Sequence, residues 1–108
     1  MEIIAMGELR PYLKAELPKF DDPVIYISSD FIPGCPMCNS GAAVYYIKLV
    51  EREFVSINEE NVEKADYHKF PIDIYVKYSP QKGKPEKFVV GTKRSKGEIQ
   101  MILRRIIY

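Results

Sequence analysis

The spacing of apolar positions changes several times along this chain, and each change predicts an element. Leu9, Leu13 and Leu17 recur at helical spacing with Arg10, Lys14 and Glu16 between them, which predicts an amphipathic helix over part of 8–17. Pro11 limits where that helix starts. Ahead of it, Ile3-Ile4-Ala5-Met6 reads either as a short first strand or as the first turn of the same helix. Asp21-Asp22-Pro23 stops the pattern. Val24-Ile25-Tyr26-Ile27 then predicts a buried strand over 24–28, being short, apolar and rich in β-branched and aromatic side chains. From Pro36 to Val50 the expectation is a helix, since a proline in a first helical turn costs nothing. Phe54, Val55 and Ile57 suit a short strand over 53–57, parallel to the first because the crossover between them is long enough to hold a helix.

The second half continues with a short polar helix from Glu59 to Lys69, ended by Phe70-Pro71. A strand over 72–78, a turn over 80–85 rich in Gly and Pro, and an antiparallel strand over 87–90 make a predicted hairpin. Ser95-Lys96-Gly97-Glu98 has the form of a capping box, Ser serving an amide and Glu reaching back. Ile99, Ile102, Leu103, Ile106 and Ile107 then fall on one helical face, with Gln100, Arg104 and Arg105 on the other.

Chemistry enters with Cys35-Pro36-Met37-Cys38, which contains the only two cysteines of the chain. On this layout Cys35 sits where a helix begins, and its thiolate is favoured by free backbone N–H groups and the positive end of the helix dipole. Cys35 is then the nucleophile and Cys38, one turn on, the resolving thiol. A zinc site is the competing use of two thiols. Structural zinc usually takes four protein ligands, and the single His68 raises the candidates only to three. A structural disulfide is another, but the first ten residues include Glu2, Glu8 and Arg10 and do not read as a secretory signal. A reducing, cytoplasmic setting is therefore expected, where such a pair is more often redox-active than structural. No apolar run approaches membrane-spanning length.

At 108 residues, 46% of them hydrophobic, the chain is expected to form one domain spanning 1–108. Its net charge of +1 hides an asymmetry: residues 1–76 carry 7 Lys/Arg against 13 Asp/Glu, and 77–108 carry 9 against 2. That bias suits an acidic partner or nucleic acid. It better suits a solvated hairpin whose lysines discourage edge pairing, because glycine and aromatics are not interleaved with the charges as in a nucleic-acid signature.

The order βαβ–α–ββα, with C-x-x-C opening the second helix, resembles the thioredoxin superfamily over about residues 24–107. Cys35-Pro36-Met37-Cys38, Pro71 at the place of the cis-proline, and Val90-Gly91 followed by Ser95-Lys96-Gly97-Glu98-Ile99 carry the likeness. It implies an α/β fold: a central mixed four-stranded sheet, with a short N-terminal fifth strand as an option, flanked by helices on both faces. It implies a thiol–disulfide oxidoreductase in which Cys35 and Cys38 are catalytic and Pro36 supports them. Phe70, Pro71, Gly91 and Met37 would meet the substrate. The family's buried acid falls at Ser29, with Asp30 beside it to take over the proton. Cys-Pro-x-Cys leans toward glutaredoxins, but Ser28-Ser29-Asp30, Lys69-Phe70-Pro71 and Gly91-Thr92 match the glutathione-site pattern poorly. Disulfide-bearing proteins are the expected substrates, with a reductase or glutathione as electron source. The resemblance calls for no cofactor and no metal, and the expected state is a monomer without nucleic-acid or membrane partners. A glutathione-dependent enzyme and a non-catalytic binding module are the alternatives.

Overall fold

The computed structural model describes residues 1–34, 41–65 and 72–108. Strand β1 covers Glu2–Ala5, and helix α1 covers Leu9–Glu16, continued by a 3-10 turn at Leu17–Lys19. Two long strands follow, β2 (Pro23–Ile32) and β3 (Ala42–Glu51), then a 3-10 turn at Arg52–Phe54. The remaining strands are β4 (Val62–Lys64), β5 (Ile74–Lys77), β6 (Lys87–Ser95) and β7 (Glu98–Ile107). They form two sheets, ordered β1-β6-β7 and β3-β2-β5-β4. β6 runs parallel to β1 and antiparallel to β7. β2 runs antiparallel to β3 and parallel to β5, which is antiparallel to β4. Among the described residues α1 is the single α-helix. The expected thioredoxin-like α/β architecture, with helices on both faces of one sheet, is therefore overturned by a mostly β protein with two sheets.

Two expected helices are strands. Over 42–51, Tyr45, Ile47 and Leu49 pack on the core while Tyr46 and Lys48 are exposed, a period of two. Val44, Tyr45, Tyr46, Ile47 and Val50 are also β-formers by side-chain shape. The last element, β7, has a subtler cause. Val89 stands opposite Arg105 and Val90 opposite Leu103, so Arg104 is one extra residue in the ladder. Met101 and Leu103 face the core, and the bulge shifts the parity so that Ile106 does too. A period of two broken by one inserted residue mimics helical spacing. Ser95-Lys96-Gly97-Glu98 is not a helix cap. Ser95 pairs with Glu98 across a two-residue turn with Lys96 at φ 52° and Gly97 at φ 79°. Two positive φ values in succession match the twist of a tight hairpin.

Three further expectations change. Residues 53–57 hold no strand, but Val55 is buried there while Phe54 is exposed. The helix over 59–69 is replaced, in its described part, by the short strand β4. β5 and β6 lie in different sheets rather than in one hairpin, and the 78–86 connection carries the chain between them. That connection is pinned by the buried Ser79, whose amide donates to the Tyr45 hydroxyl (3.3 Å) and whose carbonyl accepts from Gly83 N (2.9 Å).

The expected helix over part of 8–17 forms, with Pro11 in its first turn, where a backbone donor would lack an intrahelical partner anyway. Leu9 and Leu13 bury one face of α1 against Ile3, Phe88, Val90 and Met101. Ile25, Ile27, Ile74 and Val76 join the same core from the four-stranded sheet. A second, smaller cluster of Val24, Val55, Val62 and Tyr75 covers the opposite face of that sheet. Burial on both faces explains why the start of β2 is apolar without alternation. Among the described residues no helix is long and apolar enough to cross a membrane.

Candidate functional site

β2 and β3 stay in register over their whole length, from Pro23↔Glu51 to Ile32↔Ala42. β5 accompanies β2 only over residues 25–27, so the far half of the ribbon extends beyond its neighbour. The connection 33–41 closes this end. Cys35, Pro36, Met37 and Cys38 belong to it and lie outside the described residues, as do His68, Phe70 and Pro71. On the described flanks, Phe31 lays its ring across Gly41: a Cβ built there would overlap Phe31 Cζ and stand 2.6 Å from its Cε2. Ile32 and Tyr46 are exposed at 55% and 51%. Asp30 is exposed on β2 opposite Val44. Ser29 donates its hydroxyl to the Lys77 carbonyl (2.7 Å), among the described residues the last tie between β2 and the chain of β5.

The described anchors of segment 66–71 stand at the other end of the sheet. Ala65 N donates to the Ile74 carbonyl (2.8 Å), and Ile74 pairs with Ile25. Seven residues of strand separate Ile25 from Ile32, a distance of about 23 Å. Gly91, the other expected substrate contact, lies in the three-stranded sheet. It is buried on β6 opposite Ile102, beneath Met6 Sδ, Arg104 Nε and Glu8 Oε1. Its missing side chain lets the bulged Arg104 cross β6. Arg104 donates there to the Thr92 carbonyl and approaches Glu8 (3.6 Å), while Glu8 accepts the Thr92 amide (3.3 Å). In this structure Gly91 makes room for an arginine.

At the Pro23 end, Arg52 bridges Asp22 (2.9 Å) and Asp73 (2.9 Å) and donates to the Tyr75 hydroxyl (3.0 Å). Lys64 also reaches Asp73 (3.0 Å). Hydrogen bonds from Lys64 and then Arg52 hold the Asp73 carboxyl below its ordinary range, and Asp22 and Asp73 together raise the Arg52 guanidinium. Arg52 and Asp73 are 21 positions apart, so no short motif could have marked them. Under the ribbon, burial and then the Tyr108 hydrogen bond push the Tyr45 hydroxyl up to about 12. These groups are tied to one another and bind the fold together. A groove of about 870 Å³ runs between α1 and the β6–β7 hairpin, lined by Glu8, Tyr12, Glu16, Lys19, Arg94 and Ile99 among others. It mixes both signs of charge and gathers no reactive pair. Among the described residues no group of three His, Cys, Asp or Glu side chains could hold a metal ion.

No family model, no curated protein and no solved structure matches this chain.

Proposed function

We propose that the protein is a thiol–disulfide oxidoreductase acting on protein disulfides through Cys35 and Cys38. The observation that carries this is the position of the C-x-x-C pair, the chain's only cysteines, in the connection that closes the exposed end of the β2–β3 ribbon. Two thiols three positions apart in one connection are close enough in sequence to exchange with a common disulfide. Exposed Ile32 and half-buried Phe31 beside that connection suit a polypeptide substrate rather than a small anion.

In the proposed reaction the Cys35 thiolate attacks one sulfur of the substrate disulfide, that S–S bond breaks, and a substrate thiolate leaves. Cys38 then attacks Cys35 sulfur in the mixed disulfide, releasing the second substrate thiolate. The two protons of the reduced pair end on the substrate thiols, and two electrons have moved. A reductase or glutathione returns the Cys35–Cys38 disulfide to the dithiol. Since the chain is a strand from Ala42 onward, the expected helix over 36–50 does not form across residues 42–50.

The test is equilibration of the whole protein in defined dithiol–disulfide buffers, with mass readout of every species. A reversible intramolecular disulfide is expected, with Cys38→Ser accumulating mixed disulfides and Cys35→Ser inactive. Persistence of both thiols under oxidising conditions would sink the proposal. The strand context favours one second reading, in which the pair is half of a zinc site completed by another copy of the chain. Its signature is one zinc per two chains and a dimer that a chelator dissociates.

A further inference from the structure

We propose that the open edge of β2 over residues 29–32 docks an extended segment of another polypeptide carrying a basic residue opposite Asp30. As the substrate site of the exchange reaction this rests on the dithiol reading; as a strand-binding edge it stands without it. β2 has ten residues, and β5 pairs with only three of them, Ile25 to Ile27. Ile25 N donates to the Asp73 carbonyl (3.0 Å), so the odd residues of β2 direct their backbone groups toward the β5 side. The even ones exchange theirs with β3. Ser29 is the last odd residue next to β5, through its hydroxyl on Lys77. Phe31 follows with its N–H and C=O directed past the end of β5, and neither has a partner among the described residues. A backbone donor and acceptor at strand spacing are complementary to another extended backbone.

Charge selects the occupant. Asp30 is exposed and forms no ion pair among the described residues. The nearby Lys77 ammonium is already held by Glu59 (3.0 Å). A second copy of this chain fits poorly. Setting Ser29 against Phe31 of a copy puts Asp30 directly opposite Asp30, a like-charge pair. Centring on Phe31 instead sets Ser29 opposite Pro33, which has no N–H to give. A partner strand with Lys or Arg facing Asp30 meets neither obstacle. It also lies next to exposed Ile32 and leads toward the connection that holds the cysteines.

The experiment uses the full chain with Cys35→Ser and Cys38→Ser together, so that thiol exchange contributes nothing. Three capped peptides are titrated while backbone amide signals are followed: Thr-Val-Lys-Val-Thr, the same with Glu at the centre, and the Lys peptide N-methylated at both valines. The Lys peptide is expected to shift the amides of Ser29 to Ile32. The Glu peptide should bind about fivefold more weakly and the methylated one about tenfold more weakly. Asp30→Lys should reverse the preference between the Lys and Glu peptides. The proposal is overturned by shifts confined elsewhere, by equal binding of the methylated peptide, or by self-association through residues 29–32 without peptide. A protein that docks the peptide but forms no Cys35–Cys38 disulfide refutes only the exchange chemistry. One that cycles its disulfide and ignores the peptide refutes only the docking edge.

Discussion

A methyl group at position 41 has no space while Phe31 keeps its ring where it is. The Cβ would overlap the ring edge and also lie 3.1 Å from the Ile32 carbonyl oxygen. Gly41→Ala is therefore expected to cost about 1–2 kcal/mol, the usual penalty for forcing atoms into a packed place. In a Phe31→Ala background the same change should cost about 1 kcal/mol less, because the ring is gone and only the contact with the Ile32 carbonyl remains. Urea denaturation of the four proteins measures this coupling, expected at about 1 kcal/mol. An equal cost in both backgrounds would mean that the ring is not what excludes the methyl. Gly91 gives a useful contrast. Its nearest neighbours, at 3.0 to 3.1 Å, are the ends of Met6, Arg104 and Glu8. Such flexible side chains can move aside, so Gly91→Ala should be the milder change.

At the scale of elements, the β6–β7 turn separates the two structures that its sequence suggests. Lys96 holds φ 52°, a conformation that costs a lysine more than an asparagine or glycine. Lys96→Asn creates Asn-Gly, the pair best suited to this turn, and should raise stability by about 0.5–1 kcal/mol in chemical denaturation. A helix capped by Ser95 would gain nothing from that change. The elements legible in the sequence share a property: local pattern and tertiary role agree. Leu9, Leu13 and Leu17 mark a helix that packs on one face, and Val24 to Ile27 mark a strand buried on both. β3 and β7 were obscured for different reasons. A C-x-x-C before residues 42–51 invites a helix that the alternation of Tyr45, Ile47 and Leu49 contradicts. In β7 the extra Arg104 rewrites a strand's period as a helix's. The pairing of β6 with β1 was beyond local pattern altogether, because it joins Ile3 to Phe88. Of the proposed site, the sequence disclosed the cysteines and Asp30. The edge proposed at residues 29–32 depends on where β5 ends, which no spacing within β2 records.

Across the whole molecule, the start of the four-stranded sheet is joined by charge as well as by ladders. Arg52 ties the approach to β2, through Asp22, to the residue before β5, Asp73, and Lys64 brings in the end of β4. Glu51 adds two bonds, accepting the amides of Asp21 (2.9 Å) and Asp22 (3.0 Å). Each ion pair is partly exposed, so each alone contributes little. Asp73 joins two of them, and its Asn variant should lose about 1–2 kcal/mol at neutral pH, less at high salt. The acid side follows from the direction of its shift. A carboxyl whose pKa is lower in the folded state contributes stability that is fully present above the ordinary carboxylate value of about 4 and lost as pH falls through the lower folded value. Asp73→Asn cannot titrate, so the gap between it and the unaltered protein should close as pH is taken from 7 toward 2. Urea midpoints measured across that range decide the matter. A constant gap would place the effect of Asp73 in its shape and neutral hydrogen bonds, while a closing gap would make the carboxylate's charge what holds the three segments together.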